Sequence, residues 1–596
     1  MNSKTAQSLK PAIAYHLAGN IAVAFELYSD VLSINPDNIT ALVNQSTIFM
    51  DIGRPAEAAY LLEHAVSLAP EDMEALNNYG NALQKLGRYD AAIKQFKRSL
   101  ALSHNNSAVA GNLGRALLRQ GDYLAAINVL ETAIRHNPEN AALKFVNALA
   151  LPIIPENSDQ LHFARERLSS LLHKLAREDL KLTDPINEVG ITNFTAAYQG
   201  MDDRKIQEDL ASAYRAACPE LNFSAPHIGQ KRKPGRFRIG FISENLCSHT
   251  IGKLNRAMII GLNKNQFEVF VFCPGKDKRW EDEIIVEISE AVEHIYFPAP
   301  TLACTRAIIA EAALDILYFT DIGMEPLSYF LGFARLAPVQ CVTWGHPVTT
   351  GIPTIDYFIS SELTEPEKAE NFYSEKLVRL EGFTTDFVLP NIPHLRKTRA
   401  EFGLQDRTNL YICPQSLFKF HPDFDEILGE ILRQDINGEI ILLEGQHPKW
   451  VHKLRARFMG QISDVAARIK FIPRLSGADY LQLIGLADVI LDTPFFCGGN
   501  TSYEAFALGK IVVTLPGAFM RGRLTLGLYR QMGIDVPLAE TAEDYIKIAL
   551  KFGLNKEARE EIESYIQGAY KTLFNTRSAS RMHEEFFLEA IKIASH

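Results

Sequence analysis

One stretch of the chain is decisive: Asp488-Val-Ile-Leu-Asp-Thr-Pro-Phe-Phe-Cys-Gly-Gly-Asn-Thr-Ser-Tyr-Glu-Ala-Phe-Ala-Leu-Gly509. It predicts a buried strand at Val489–Leu491, a turn at Gly498 and Gly499, and a helix that begins with Asn-Thr-Ser. The first backbone N–H groups of such a helix, with the positive end of its dipole, are free to hold an anion. A nucleotide diphosphate fits this site, and Glu504, one turn into the helix, reaches a ribose hydroxyl. An ordinary strand-to-helix turn is the alternative interpretation.

Short β-rich segments alternate with amphipathic helices from residue 235 onward. The predicted strands are 236–242, 267–272, 294–297, 316–319, 339–343 and 357–360, followed by 410–412, 439–443, 469–472, 489–491 and 511–514. Such alternation builds parallel sheets, and open parallel sheets bind ligands beyond the carboxyl ends of their strands. We therefore expect two Rossmann-like domains facing a cleft, 235–392 and 393–560, with C-terminal helices at 561–596 that return across it.

The N-terminal part of the chain repeats itself every 34 residues. The repeated positions are Gly19, Gly53, Gly87 and Gly121; Ala24, Ala58, Ala92 and Ala126; and Pro36, Pro70 and Pro138. This period, with small residues where helices cross and a closing proline, is the signature of tetratricopeptide repeats. We expect an α-solenoid of four repeats over 5–140, followed by a helical connector over 141–234.

Three asparagines, Asn44, Asn78 and Asn112, share the sixth position of their repeats, whereas the first repeat has Lys10 there. Tetratricopeptide solenoids bind extended peptides in a concave groove. Because a carboxamide both donates and accepts hydrogen bonds, these side chains are candidates to bind the backbone of an acceptor peptide. The alternative is that asparagine is tolerated on a solvated helix face.

Composition excludes several classes of protein. The 596 residues are 47% hydrophobic, and their net charge of −10 argues against broad binding of nucleic acid. The seven cysteines have no Cys-x-x-Cys spacing, which argues against a zinc cluster and favours a reducing compartment. No secretory h-region and no run of about 18 apolar residues occurs, so we expect a cytoplasmic protein without a membrane span. The Gly-x-Gly-x-x-Gly and P-loop motifs are also missing.

Taken together, the repeats, the connector and the two Rossmann-like halves resemble the bacterial O-linked N-acetylglucosamine transferase/SPINDLY-like family. Four motifs carry the resemblance, and they lie at 240–249 (GFISENLCSH), 336–351 (LAPVQCVTWGHPVTTG), 415–419 (QSLFK) and 486–494 (LADVILDTP). The resemblance implies a GT-B fold, a UDP-sugar as co-substrate and metal-independent, inverting transfer to a protein hydroxyl. No cofactor and no metal are expected.

The resemblance also implies roles for particular residues. Lys419 matches the family's phosphate-binding lysine, whose ammonium stabilises the leaving nucleotide. His249 matches an active-site histidine that has been discussed as the base. The other positions implied for the donor are Gln415, Ser416, Tyr480, Gly498, Gly499, Asn500, Thr501, Ser502 and Glu504. For each, an ordinary structural role is the alternative.

Three positions depart from the animal members of the family, which carry histidines where this chain has Gly499, Tyr480 and Asp315. The aromatic face of Tyr480 can still stack on a base, but the identity of nucleotide and sugar is left open. His346 is a candidate for binding the acceptor, or else a packed core histidine. Asp321, at the predicted end of a strand, is a further candidate base.

The sequence therefore favours a glycosyltransferase that moves N-acetylglucosamine from UDP to Ser or Thr of a protein. A repeat scaffold with an inactive transferase domain is one alternative. Another is a transferase that uses a different sugar (hexose or fucose) or an asparagine acceptor. The sequence leaves the oligomeric state open, including a homo-oligomer.

Overall fold

The computed structural model describes residues 3–232, 234–275, 281–392, 394, 396–535 and 537–594, with side chains from Leu9 onward. The chain divides into two compact units, Met1–Ile153 and Ile154–His596. Lys233, near the predicted end of the connector, and Pro393, at the predicted border between the two halves, lie outside the described residues.

The first unit consists of helices in antiparallel succession. They are α1 (Ser3–Leu17), α2 (Ile21–Ile34), α3 (Ile39–Asp51), α4 (Pro55–Leu68), α5 (Met73–Lys85), α6 (Tyr89–Leu102), α7 (Ser107–Gln120), α8 (Tyr123–His136) and α9 (Ala141–Ala148). The repeated alanines are fully buried, and the repeated glycines have φ between 73° and 95°, which side chains disfavour. The unit continues to Ile153 because α9 packs on α7 and α8, so the predicted connector start at residue 141 is too early.

Side-chain caps add a further periodic position that the sequence analysis missed. The carboxyl or carboxamide oxygens of Asn38, Asp72, Asn106 and Asn140 each accept a hydrogen bond from the backbone N–H three residues ahead, at 2.9 to 3.1 Å. Each of these residues begins the first helix of a pair, where short polar side chains satisfy otherwise unpaired N–H groups. The 34-residue period therefore sets the residues at which these helices start, as well as the small residues at which neighbouring helices cross.

The second unit begins with the connector helices α10 (Ser158–Leu175), α11 (Pro185–Glu188) and α12 (Arg204–Ala217). A seven-stranded parallel sheet follows, in the order β3-β2-β1-β4-β5-β6-β7. Its strands are β1 (Phe237–Ile242), β2 (Phe267–Phe272), β3 (His294–Tyr296), β4 (Ile316–Phe319), β5 (Val339–Thr343), β6 (Tyr357–Ser361) and β7 (Lys376–Leu380). Its helices are α13 (Thr250–Gly261), α14 (Glu283–Ala291), α15 (Leu302–Glu311) and α16 (Pro326–Leu331).

The five-stranded second sheet is also parallel and runs in the order β10-β9-β8-β11-β12. Its strands are β8 (Asn409–Cys413), β9 (Gly438–Leu443), β10 (Ile469–Ile472), β11 (Val489–Leu491) and β12 (Val512–Val513). Its helices are α17 (Asp423–Gln434), α18 (Pro448–Gln461), α19 (Gly477–Gly485), α20 (Asn500–Ala507), α21 (Leu524–Met532), α22 (Ala542–Leu554) and α23 (Lys556–Ala569). The predicted border at residue 561 is wrong because it falls inside α23.

The last helix, α24 (Ser578–Ala594), leaves the second half and packs on the first sheet. Phe587 joins the core of that sheet, and the hydroxyl of Tyr318 lies 3.1 Å from His583 Nε2. The chain therefore crosses twice between the two halves, which holds them together. None of the described helices has the length and apolar character that a membrane span requires.

Candidate functional site

The turn between β11 and α20 is organised around one buried carboxylate. Asp492 Oδ1 accepts hydrogen bonds from Gly498 N at 2.7 Å and Gln415 Nε2 at 3.4 Å. Its Oδ2 accepts from the hydroxyls of Thr514 at 3.1 Å and Thr525 at 2.6 Å. Burial raises the pKa of Asp492, while these hydrogen bonds favour its ionised form. The carboxylate thus holds the glycine turn in one conformation.

Gly498 is required by the closeness of the surrounding side chains. A Cβ at this position would lie 2.6 Å from Thr501 Oγ1 and 2.8 Å from Gln415 Nε2, and would also touch Ser502 Oγ. At Gly499 the nearest atoms would be Trp344 Cζ3 at 3.7 Å and Leu524 Cδ1 at 3.8 Å, which is ordinary contact. The first glycine is therefore needed for the turn, whereas the second leaves room beside the other half of the molecule.

The start of α20 carries unpaired donors. Its N-cap, Gly499, has no side-chain acceptor, and the first backbone hydrogen bonds come from Ser502 and Tyr503 to Gly499 O. Among the described residues, the N–H groups of Asn500 and Thr501 have no acceptor, and Asn500 Oδ1 is buried without a partner. Unpaired N–H groups at a helix start bind anions.

Lys419 lies at this turn, although it is 73 positions before Asp492 in the chain. Its Nζ donates to Cys497 O at 3.0 Å and to Gln415 Oε1 at 2.8 Å, and it lies 4.7 Å from the centre of the Phe496 ring. Burial lowers the pKa of Lys419, and the charge of Asp492 opposes this effect. An ammonium that is partly stripped of water gains free energy when an anion binds next to it.

Gln415 connects the lysine to the helix, because its Nε2 also donates to Thr501 Oγ1 at 2.9 Å. Ser416 is exposed, and its carbonyl accepts from Lys419 N. Ser502, which the sequence analysis assigned to the donor site, is 2% exposed and bound to Thr525 at 2.8 Å. That assignment is wrong because Ser502 points into the domain, two residues further round the helix than Asn500.

Glu504 bridges to the first half of the molecule. Its carboxylate lies 3.2 Å from Lys253 Nζ on α13. Burial raises the pKa of Glu504, and Lys253 opposes this shift. The hydroxyl of Tyr480 lies beside the same carboxylate, and burial followed by the charge of Glu504 raises the pKa of Tyr480. The two residues predicted to hold the nucleoside are thus neighbours.

Across the cleft, Asp321 follows the carboxyl end of β4. It is 1% exposed, and its Oδ2 accepts from Ser243 Oγ at 2.8 Å and from Asn245 Nδ2 at 3.1 Å. Burial raises the pKa of Asp321 to about 6, although both hydrogen bonds favour the ionised form. A carboxylate with a pKa near neutrality suits general base catalysis.

His249 is the N-cap of α13, and its Nδ1 accepts from Ile251 N at 3.3 Å. Since Nδ1 acts as the acceptor, the proton of the neutral ring is on Nε2. His249 and Asp321 both lie in loops that follow the carboxyl ends of strands of the first sheet, β1 and β4.

His346 is buried, with 3% of its surface exposed, and stacks on Phe194 of the connector at 5.4 Å between ring centres. Burial lowers the pKa of His346 to about 4, so the ring is neutral at pH 7. This placement favours the interpretation as a packed histidine over direct binding of an acceptor.

The connector contributes to the cleft, which the sequence analysis did not anticipate. Tyr198 packs at 4.7 Å on Phe418 and at 4.5 Å on Phe496, on either side of Lys419. Asp203 forms ion pairs with Arg165 at 2.5 Å and with Arg521 at 3.1 Å, which ties the connector to the donor half. No spacing or motif in the connector indicated these contacts.

Two further sets of predicted residues have partners close to them in the fold. Asp315 precedes β4 and pairs with Arg232 at 3.0 Å, so it lies at the amino end of the strand and not at the cleft. This placement argues against an active-site role for Asp315. In the repeats, Asn44 Nδ2 donates to Thr40 O, and Asn112 Nδ2 donates to Asn77 Oδ1, both at 2.9 Å. The side chain of Asn78, within α5, has no hydrogen bond to another described residue.

Two Rossmann-like halves, each built on a parallel sheet, are typical of the GT-B glycosyltransferase fold. The sequence model of glycosyl transferase family 41 matches residues 219–396 and 389–582, and a tetratricopeptide repeat model matches residues 71–139. The chain belongs to glycosyl transferase family 41.

Two sequence relatives and one solved structure are similar to this chain. The probable UDP-N-acetylglucosamine–peptide N-acetylglucosaminyltransferase SEC of Arabidopsis thaliana is 26% identical over 372 residues, covering 60% of this chain and 38% of the relative. The UDP-glucose:protein N-beta-glucosyltransferase of Actinobacillus pleuropneumoniae is 26% identical over 277 residues, covering 45% and 43%. The chain thus spans less than half the length of these relatives. A mutant O-GlcNAc transferase of Thermobaculum terrenum has the same fold, with a TM-score of 0.72 at 22% identity, covering 94% of this chain and 98% of that one.

Proposed function

We propose that the protein transfers a sugar from a UDP-sugar to a hydroxyl group of a protein. The observation that carries this proposal is the position of Lys419 Nζ, 3.0 Å from Cys497 O in the turn before the unpaired N–H groups of α20. A cation and a helix start that converge on one spot favour a diphosphate there. The membership in family 41 supports the same reaction class.

In this proposal, the acceptor oxygen attacks the anomeric carbon on the face opposite the diphosphate. The bond from that carbon to the phosphate oxygen breaks, and its electron pair leaves with UDP, so the configuration inverts. Lys419 and the N–H groups of Asn500 and Thr501 stabilise the charge that grows on the leaving group. Asp321 takes the proton of the acceptor hydroxyl, since burial brings its pKa to about 6.

The sugar in this proposal is N-acetylglucosamine and the acceptor is serine or threonine, as the name of the SEC relative and the family resemblance suggest. A second candidate is transfer of glucose to asparagine, which the glucosyltransferase relative favours at the same 26% identity. The two are distinguished by the intact mass of co-expressed acceptor proteins and by the type of residue modified. The tetratricopeptide unit serves as the binding surface for the protein acceptor.

The test compares Lys419→Ala with Lys547→Ala, which removes an exposed lysine of α22 in the same half. Loss of one preorganised charge at a leaving group lowers kcat by about 10²- to 10³-fold. We expect this loss in Lys419→Ala, weaker binding of UDP by calorimetry and an unchanged melting temperature, with Lys547→Ala at wild-type level. Full transfer activity in Lys419→Ala would exclude the assigned role. A wild-type protein that binds neither UDP nor GDP would instead favour the inactive scaffold.

A further inference from the structure

Two carboxamides of the connector, Asn193 and Gln199, are buried without partners. Asn193 is 5% exposed and Gln199 is 3% exposed, and all four of their side-chain nitrogen and oxygen atoms have no hydrogen bond among the described residues. A buried polar group without a partner destabilises the folded state, and most such groups in proteins are paired. Two complete carboxamides at the ends of one short helical segment are therefore an observation that requires an explanation.

Asn193 directly precedes the 3-10 helix Phe194–Gln199, and Gln199 is its last residue. The contacts of this segment place it between the two halves of the cleft. At one end, Thr192 donates to Gly323 O at 2.6 Å and the Phe194 ring stacks on His346. Gly323 is only two residues from Asp321, the candidate base. The Asn193 end thus lies beside the loops of the first half.

The other end of the segment meets the donor half. Tyr198 packs on Phe496, whose ring lies 4.7 Å from Lys419 Nζ. A Cβ at Gly200 would contact the ring of Phe495, so the backbone passes directly over the turn before α20. The Gln199 end therefore lies beside the groups assigned to the leaving diphosphate.

We infer that Asn193 and Gln199 bind the hydroxyl groups of the transferred sugar, an inference that rests on the proposed function. In an inverting transfer the sugar ring occupies the space between the leaving diphosphate and the base, which here is the space between Lys419 and Asp321. The connector segment spans that space. A sugar hydroxyl donates one hydrogen bond and accepts others, and a carboxamide offers both partners without a charge. The sugar thus supplies the hydrogen bonds that the two carboxamides lack.

The experiment measures the dissociation constants of UDP, UDP-N-acetylglucosamine and UDP-glucose by calorimetry. The variants are Asn193→Leu and Gln199→Met, which keep the volume and remove the hydrogen-bonding groups. Gln340→Met is the matched control, because Gln340 is equally buried but uses its carboxamide to bind Leu336 N, Ala334 O and Thr354 O.

We expect the ratio of the UDP-sugar dissociation constant to that of UDP to rise roughly tenfold in each connector variant, with UDP affinity unchanged. Their melting temperatures should stay at or above the wild-type value, because an unpaired carboxamide is removed, whereas Gln340→Met should melt earlier. An unchanged ratio, or an equal loss for UDP and UDP-sugar, would overturn the inference. A loss of stability comparable to Gln340→Met would also overturn it. Failure of the wild-type protein to bind UDP would refute the proposed function itself.

Discussion

The two α/β halves place an aspartate at a similar topological position, within two residues of the end of their fourth strand. Asp321 follows β4 and Asp492 follows β11, and each strand lies next to the first strand of its own sheet. Burial raises the pKa of both. Their partners differ: Asp492 accepts from Gly498 N in its own turn, whereas the partners of Asp321 are side chains. Asp492 thus fixes its own turn, whereas Asp321 is held by side chains and is the base in the proposed function.

The largest effect is expected from Asp321→Asn. Loss of a general base lowers the rate about 10²- to 10⁴-fold. In the wild type, kcat/KM should rise with pH up to about 6 and then level off, because the base must be ionised; this acidic limb should vanish in the variant. The matched control is Asp315→Asn, at the opposite end of the same strand, which should retain activity. A wild-type pH profile in Asp321→Asn would assign the base elsewhere.

The same variant separates function from stability. The folded-state pKa of about 6 lies above the ordinary aspartate value of 3.8, so the stability gained from protonation is full below pH 3.8 and is lost as the pH rises through 6. At pH 7 the wild type therefore holds an unfavourable buried charge. Urea unfolding should show Asp321→Asn to be at least as stable as the wild type at that pH.

Asp492→Ala should show the opposite pattern. Removal of the carboxylate takes away the acceptor of the buried donors of Gly498 and Thr514, which costs about 3 kcal/mol. The urea midpoint should fall, and UDP affinity should fall with it because the turn loses its fixed conformation. A stable variant with normal UDP binding would show that the two aspartates are equivalent.

The two glycines of the turn give a finer test. Gly498→Ala should lose about 1 to 3 kcal/mol, because overpacking against Thr501 and Gln415 forces the turn to shift. Gly499→Ala should change stability by less than about 0.5 kcal/mol, the range of an unstrained substitution. Thermal unfolding of both variants measures their stability, and titration with UDP measures whether the turn still binds the nucleotide. Equal losses would show that the turn requires both glycines.

The smallest effect is expected at the ion pair between the halves. Lys253 is 47% exposed, so its pair with Glu504 contributes about 0.2 to 1 kcal/mol. Lys253→Met should weaken UDP binding, because the pKa of Glu504 rises further when the neighbouring charge is lost and less of the carboxylate is ionised to bind the ribose. The expected loss is less than about fivefold, since the ion pair is weak. Lys253→Arg keeps the charge and should bind as the wild type does. A larger loss in Lys253→Met would mean that Lys253 itself touches the nucleotide.

The strands show how far local pattern reaches. Strands 267–272, 316–319, 339–343, 469–472 and 489–491 have the predicted bounds. For 316–319 and 489–491 the reason is a continuous apolar run, which is typical of strands buried on both faces. The strand Lys376–Leu380 was missed, since this edge strand includes Lys376 and Arg379 and has only one fully buried residue. Edge strands carry charged residues, which weakens their apolar pattern.

The sequence by itself determined the repeat unit, the two parallel sheets and the glycine turn with Lys419 as its candidate partner. The repeats and sheets follow from a 34-residue period and from apolar runs, and Lys419 follows from a motif of the family resemblance. Only the tertiary structure decided that Ser502 faces inward, that Asp315 lies away from the cleft, and that the connector forms part of the cleft wall. These facts depend on burial and on contacts between distant segments, such as Asp203 with Arg521. No local pattern encodes such a contact, because its energy comes from the environment that the complete fold creates.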